Sequence, residues 1–592
     1  MFGLLVSSCK TPNKAALDKL IDDGSFIESE LKVAIKTSLT DSSIIKSFIW
    51  KLRFSDTLFD FYAERTFQPV WAMYLVNDSM ADLVFKVLEN SRLDGFKAEY
   101  YRVDSLRSML RRLKRGDVEN PYAELAKIDL LMSDNMLSFH HDRVFGRTDP
   151  NKVFKAAYQL PTRFFPNFKL LDVLSYKQYP KVLEKNTITD TAYWRLTDLL
   201  KFYYNKLDAG EKWFQIDTVG IKKLEPGDTT MLMPAIAEKL FLMQVLSAKE
   251  AKEADSFMYD KDYAKYIRRF QQRFGLFDDA VLGRKTFGLL NSSLQDIIDQ
   301  IAANLERIRW FQLPEEKPYI AVNLPAYELG LFYPDSIKYM RVCIGKAHPP
   351  DYDAKMEKYL KELKYWLRPA DHETPQIKSG VVYMVVNPTW TVPNSIISRE
   401  MFYKMKRDNN YLKDNGYGVF YKGKELLSDS INWAKYSPTK VPFNIVQKAG
   451  DENALGKVKF IFPNPFQIYL HDTPQKSKFK WTERAVSHGC VRVEKPLELG
   501  AFLTQNIKKY DEDDFRIMMG QEPLDAERLK DYDPLDSLAK LQPIDTTMLI
   551  RLEKSIPVYF LYNTIWFDQD GQVQYRNDVY DKNKYIIRAM NF

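Results

Sequence analysis

Residues 469–493 read YLHDTPQKSKFKWTERAVSHGCVRV. Two of the six histidines, His471 and His488, and one of the three cysteines, Cys490, fall in this stretch. An apolar run ends at His471, sixteen residues follow without another His or Cys, and then come Ser487-His488-Gly489-Cys490 and a short apolar run of strand character. A thiol becomes a nucleophile at neutral pH only with a base beside it, and the oxyanion it creates needs backbone N–H groups aimed at it. The stretch holds all of these parts. The chemistry it points to is acyl transfer through a cysteine thioester.

Cys490 is the candidate nucleophile. His471 is the better candidate base, because it ends the strand FQIYL and can face Cys490 from the neighbouring strand. An imidazole there is expected to lower the thiol pKa through a thiolate–imidazolium pair. His488 stands two residues before Cys490, so it either tunes the site, orients substrate or forms a structural hydrogen bond. Asp472 either orients a ring or caps the turn after His471, and the turn is the favoured reading. Gly489 permits tight backbone geometry, so that the N–H groups of Gly489 and Cys490 can form an oxyanion hole, with Ser487 in support. Arg492 is a fixed cation two residues past the thiol, suited to hold a substrate carboxylate or to stabilise the loop.

The chain of 592 residues is long enough for about three to five domains. At 45% apolar and 28% charged it has ample material for cores. The 14% aromatic content suits glycan or extended-peptide grooves, although plain core and surface packing is the favoured reading. A formal charge of +7 is mild at this length, and without a Lys/Arg block it argues against a nucleic-acid partner. Cysteines at 9, 343 and 490 make neither a metal spacing nor a disulfide framework. His140-His141 lacks a third ligand at metal spacing and is read as structural. No run approaches the ~18 apolar residues of a membrane-spanning helix.

Taken in order, residues 28–245 are mostly helical in pattern, as in TAYWRLTDLLKFYYNKL. The segment YAKYIRRFQQRFGLFDDAVLGRKTFGLLN follows, with Gly275 placed to end a helix in a left-handed cap. From Leu305 the pattern turns to strands: YIAVNLPAYELGLF, MRVCIG and GVVYMVVNPTWTVP. Residues 401–455 interrupt them with polar, Lys- and Asn-rich sequence of the kind that serves as a lid. Residues 510–540 are expected to run over the surface as short helices. Near the end, Asp570-Gly571 between apolar runs signals a hairpin. At the start, Val6-Ser7-Ser8-Cys9 resembles a bacterial lipoprotein box, so membrane anchoring through a lipidated Cys9 is expected.

The spacing of HDTP and SHGCVRV resembles the signature of the L,D-transpeptidases with a YkuD-type catalytic domain. The stretches RIRWF, VNLPAY, VVNPTWTVPNSI and NALGKVKFIFPNPFQIYLHDTP resemble the large multidomain members of Gram-negative bacteria. FYAERTFQPVW (61–71), the segment from DLLMSD to FGRTDP (129–150) and IPVYFLYNTIWFDQDGQVQYRNDVY extend that likeness over nearly the whole chain. The segment around Phe270, Gln271, Gly275, Leu276, Asp279, Gly283, Thr286 and Leu290 resembles the small helical peptidoglycan-binding domain, with Ala280 where that family often has Gly.

The resemblance implies a multidomain α+β protein. Residues 1–27 would be a signal remnant or linker, 28–245 a helical scaffold and 246–300 a peptidoglycan-binding-like unit. Residues 301–520 would be the β-rich catalytic domain with 401–455 as its lid insertion, and 521–592 a C-terminal extension with a hairpin. It also implies that Trp390 lines the acyl-donor groove, with Tyr469 and Arg492 in substrate binding. Relatives often have Ser in place of His488, which argues against that residue as the essential base.

The reaction so implied is the formation of 3–3 cross-links in peptidoglycan. Cys490 would attack a tetrapeptide donor stem and release D-alanine, with L,D-carboxypeptidase activity where water is the acceptor. Partners would be stem peptides, glycan and carbapenem-type inhibitors, with no metal or other cofactor. The location would be the periplasm or cell envelope. Two rivals are a wall-tethering lipoprotein, which needs neither Cys490 nor His471, and a cysteine hydrolase of wall peptides. The order of His471 before Cys490 weighs against the papain-like arrangement.

Overall fold

The computed structural model describes residues 28–41, 52–72, 79–162, 188, 190–254, 256–364, 367–529 and 547–591. Cys9 and the expected signal remnant lie outside the described residues, as does the stretch 530–546. The chain is an α+β protein, helical through its first half and built on a large sheet from residue 319 onward.

The helix Pro121–Phe145 is the centre of the first region. Asn120 Oδ1 accepts the Ala123 N–H at 3.0 Å, Pro121 starts the first turn with its φ already fixed, and Gly146 ends the helix at positive φ. The helix is apolar or small-polar on nearly every side and is buried along most of its length. Its carboxylate Asp129 is buried but well supplied with donors. It accepts the N–H groups of Val70, Trp71 and Ala72, the last two at 2.7 and 2.8 Å, and the Tyr62 hydroxyl at 2.5 Å. Ser133, one turn on, meets Tyr62 Oη at 2.8 Å and Trp71 Nε1 at 2.9 Å. Residues 61–71 are thus folded against residues 129–133 by one carboxylate and one hydroxyl. A charge can stay here without water because its lone pairs are filled.

A second helical region follows. Helices Thr191–Asp208, Met233–Leu242, Lys261–Arg273 and Arg284–Leu290 share one core, with Tyr193, Leu200, Ile236, Leu240, Ile267, Phe270 and Leu290 in contact. That core runs across residue 246 without a break. The 246–300 unit is too small to bury its own apolar residues alone and packs with the helices before it. Within it, Gly275 has φ +65° and Leu276 N–H closes onto Gln271 O at 2.8 Å, the left-handed cap expected from sequence. Ala280 also sits at positive φ, +62°, which is the physical reason a glycine suits that position. Gln271 and Asp279 are spent on the turn itself, bonding each other, Ala280 N–H and Val281 N–H.

The helix Leu294–Trp310 opens with a Ser293/Asp296 capping box and ties the regions together. Its Trp310 Nε1 donates to Thr148 O at 2.9 Å and its Glu306 accepts from Thr148. Its buried Arg309 donates to Tyr193 Oη, and its Asn304 exchanges bonds with Thr564 near the C-terminus.

The sheet uses strands β1 (Tyr158–Gln159), β2 (Tyr319–Asn323), β3 (Glu328–Phe332), β4 (Ile337–Gly345) and β5 (Gln376–Val386). After the inserted β6 (Trp390–Thr391), β7 (Tyr417–Tyr421), β8 (Lys424–Leu426) and β9 (Asn444–Gln447) come β10 (Val458–Ile461), β11 (Leu470–His471), β12 (Ala485–Ser487) and β13 (Val491–Val493). The last are β14 (Met548–Leu561), β15 (Ile565–Phe567) and β16 (Val573–Tyr575). The main order is β1-β5-β10-β11-β13-β4-β3-β2-β14, and β14 pairs again with β5, so the sheet closes on itself. The region drawn from sequence as a C-terminal extension therefore supplies a strand of the central sheet. The hairpin around Asp570-Gly571 is β15–β16.

The interruption between β5 and β10 is a small unit of its own. Strands β6-β9-β7-β8 form a separate sheet over a core that includes Ile397, Phe402, Met405, Trp433 and Ile445. It begins at Trp390, earlier than residue 401, because Trp390 and Gln447 pair across β6 and β9 and close its base.

Replacing Asp129 by Ala leaves the N–H groups of Val70, Trp71 and Ala72 without an acceptor, while the Tyr62 hydroxyl keeps Ser133. Thermal and urea denaturation of the parent and the variant are expected to show a loss of about 3 kcal/mol. A loss below about 1 kcal/mol would show that the carboxylate does not hold residues 61–71 in place.

Candidate active site

The candidate residues converge because of strand pairing and the two-residue period. β11 lies between β10 and β13, with Leu470 opposite Val491 and His471 opposite both Arg492 and Lys459. Leu470, Val491 and Phe460 point into the core. Tyr469 and His471 on one strand, Cys490 and Arg492 on the next, and Lys459 beyond therefore share the other face.

His471 is buried, and its Nδ1 donates to the carbonyl oxygen of Asp472 at 2.5 Å. That bond leaves Nε2 with the free lone pair, the tautomer a general base needs. The Asp472 side chain does a separate job. Its oxygens accept the Lys457 and Thr473 N–H groups at 3.0 and 2.7 Å and pair with Lys476. The carboxylate therefore fastens the turn, while the carbonyl of the same residue orients the ring.

Cys490 keeps part of its surface open while its thiol is closely packed. The backbone and hydroxyl of Tyr469 both favour negative charge on the sulfur, and the Trp390 side chain acts in turn on that hydroxyl. Trp390, at the base of the insertion, thus acts on the thiol through Tyr469, whose ring lies 5.7 Å from that of His471. Burial pushes the Cys490 pKa up to about 11. Burial, then the charges of Arg492 and Lys459, push His471 down to about 3. The resting pair is a neutral thiol and a neutral imidazole, where sequence pointed to a thiolate–imidazolium pair. Desolvation opposes both charges.

Ser487 staples the loop before the nucleophile. Its hydroxyl donates to Cys490 O at 2.6 Å and accepts the Gly489 N–H at 3.1 Å. Gly489 has φ +121°, a conformation that excludes other residues. Because its N–H is taken by Ser487, only the Cys490 N–H of the expected oxyanion pair remains available. His488 turns away from the thiol. Its Nε2 meets Glu400 Oε1 at 2.5 Å, and its ring stands edge-on to His372. Glu400 lies in a π-helical turn, Ile397–Met401, of the insertion. Arg492 donates to Gln475 Oε1 at 2.9 Å, while its buried Nε has no acceptor.

Comparisons with known proteins now bear on this site. Residues 317–509 match the L,D-transpeptidase catalytic domain, YkuD, and residues 56–200 match the scaffold domain. The chain carries a YkuD-type L,D-transpeptidase catalytic domain. A similar protein, a putative L,D-transpeptidase of Haemophilus influenzae, is 33% identical over 214 residues. That likeness spans 36% of this chain and 38% of the relative's length.

Around the site the structure adds Lys459, Glu400, His372 and Thr374, and from beyond the matched segment Tyr580, to the residues singled out from sequence. Lys459 Nζ lies 5.8 Å from the Tyr469 ring centroid. Its place in VKFIF, between apolar residues, was the only sequence signal that it faces outward. The others meet the catalytic loop through contacts that no local pattern announces.

With His471 neutral above about pH 3 and the thiol protonated below about pH 11, alkylation of Cys490 by iodoacetamide should rise steadily with pH. The expected slope is about tenfold per unit between pH 7 and 10, without an inflection near 6.5. Mass spectrometry of the alkylated peptide gives the rate. A plateau reached below pH 8 would mean that a thiolate–imidazolium pair exists at rest.

Proposed function

We propose that this protein forms 3–3 cross-links in peptidoglycan through a thioester on Cys490. The observation that carries the reading is the shared face of Tyr469, His471, Cys490 and Arg492 within the YkuD-type domain. The Cys490 sulfur attacks the carbonyl at the L-centre of the third stem residue as its proton moves to His471 Nε2. The Cys490 N–H receives the oxyanion. D-alanine then leaves with the proton held by His471. The side-chain amine of a second stem attacks the thioester, His471 takes up its proton, and the thiol is restored. Water in place of that amine gives L,D-carboxypeptidase activity.

Two features support this assignment of roles. The Arg492 guanidinium is mostly desolvated and has no carboxylate partner among the described residues, so a carboxylate of the donor stem would complete it. The Tyr469 hydroxyl, backed by Trp390, stabilises negative charge on the sulfur when D-alanine or the acceptor amine exchanges on the acyl carbon. The substrate puts the site of action in the cell envelope, with Cys9 as the proposed lipid anchor and the helical unit around Phe270 as a proposed glycan contact.

Purified protein and its Cys490→Ala variant, incubated with a disaccharide-tetrapeptide, separate the readings by mass spectrometry. Dimer with loss of one D-alanine, formed by the parent alone, is expected. Tripeptide without dimer would mean hydrolysis, and unchanged substrate would leave a tether. Arg492→Gln is expected to raise KM for the donor about tenfold or more with a smaller change in kcat. An unchanged KM would confine Arg492 to holding the loop.

A further inference from the structure

The oxyanion donor is aimed from below by residues distant in sequence. Thr374 is completely buried just before β5. Its Oγ1 accepts the Gly345 N–H at 2.9 Å and donates to the Gly489 carbonyl at 2.8 Å. Its own N–H donates to Tyr580 Oη at 3.3 Å, and that hydroxyl donates to Gly345 O at 2.7 Å. Each hydroxyl gives one bond and accepts one, so both proton positions are determined. The bracket is tight, because a Cβ on Gly345 would stand 1.6 Å from the His372 carbonyl oxygen.

The consequence lies in one peptide plane. The Gly489 C=O and the Cys490 N–H belong to the same trans unit and point in opposite directions. Fixing the carbonyl on Thr374, at the buried side, turns the Cys490 N–H the other way. That N–H donates to no group among the described residues, whereas the Gly489 N–H is taken by Ser487. We propose that Thr374, locked by Tyr580, is a positioning residue that aims the Cys490 N–H at the oxyanion formed on acylation. Tyr580 lies beyond the residues matched by the catalytic family, so part of the oxyanion machinery is supplied from the C-terminal segment. The inference rests on Cys490 acting as an acylated nucleophile, as proposed above, but not on the identity of the donor.

Two reagents for the same sulfur separate positioning from reactivity. With p-nitrophenyl acetate the sulfur adds to the acetyl carbonyl, whose π pair becomes the oxyanion. Collapse of that adduct expels p-nitrophenolate and leaves S-acetyl Cys490, the thiol proton passing to solvent. Iodoacetamide reacts by displacement of iodide and forms no oxyanion. Thr374→Val is expected to slow the p-nitrophenolate burst about ten- to a hundred-fold. Its alkylation rate should stay within about twofold of the parent.

Thr374→Ser, which keeps the hydroxyl, should restore the burst to within about threefold of the parent. Tyr580→Phe should give a smaller loss of the same selective kind, and it decides the question if Thr374→Val melts below the assay temperature. A burst unchanged in both variants, equal losses with both reagents, or no rescue by Ser would overturn the proposal. Selective loss with rescue in a protein that makes no dimer from tetrapeptide would leave this inference standing and remove the cross-linking assignment.

Discussion

Closure of the sheet by β14 is the constraint on which the catalytic half depends. The strand runs parallel to β2 through Val558–Leu561 and antiparallel to β5 over much of its length. It leaves β2 and β5 no open edge, and an open edge in a sheet of this size would invite pairing with other chains. It also delivers the residues after it to the underside of the catalytic loop. Lys582, nearly buried, reaches Glu373 at 2.6 Å, and Tyr580 reaches Gly345 and Thr374. The segment matched by the catalytic family, 317–509, therefore lacks the strand that completes its own sheet.

Electrostatics at the site follow from the same packing. Lys459 and Arg492 flank His471 on the neighbouring strands and have no carboxylate partners among the described residues. Two such cations beside a buried imidazole keep it neutral at rest. They also lower the cost of negative charge on Cys490, which each of them attracts. In the acylation proposed above, the imidazole gains a reason to hold a proton as the sulfur and then the acyl oxygen gain charge. The pair is thus arranged to become ionic during attack rather than before it. That order suits a nucleophile that must not react with passing electrophiles between substrates.

Much of this was legible in sequence, for local reasons. Alternation in YIAVNLPAYELGLF marks β2 and β3, and the Asp570-Gly571 dipeptide marks the β15–β16 hairpin. The left-handed cap at Gly275 follows from residue type. The adjacency of the strands beside His471 and Cys490 was readable because both residues end or begin short apolar runs. What escaped was set by partners far away. The helical core crosses residue 246 because a unit so small must borrow its neighbours' apolar surface. The insertion starts at Trp390 because its base is closed by a cross-strand pair with Gln447. Gly489 lost its N–H to Ser487 within three residues, but nothing in the letters SHGC says which donor a hydroxyl will take.

His488 and Trp390 both join the insertion to the site, and their contacts differ. A histidine two residues from a nucleophile invites a catalytic role, yet its ring bonds Glu400 of the insertion and both side chains remain partly exposed, at 28% and 44%. A contact so exposed is worth within about 1 kcal/mol, enough to seat the insertion but not to lock it. Trp390, which the resemblance places along the acyl-donor groove, is half-buried at the start of the insertion. Its side chain acts on the Tyr469 hydroxyl from the base of the insertion, where β6 pairs with β9. The solvent-screened contact thus sits on His488, and the contact nearer the sulfur on Trp390.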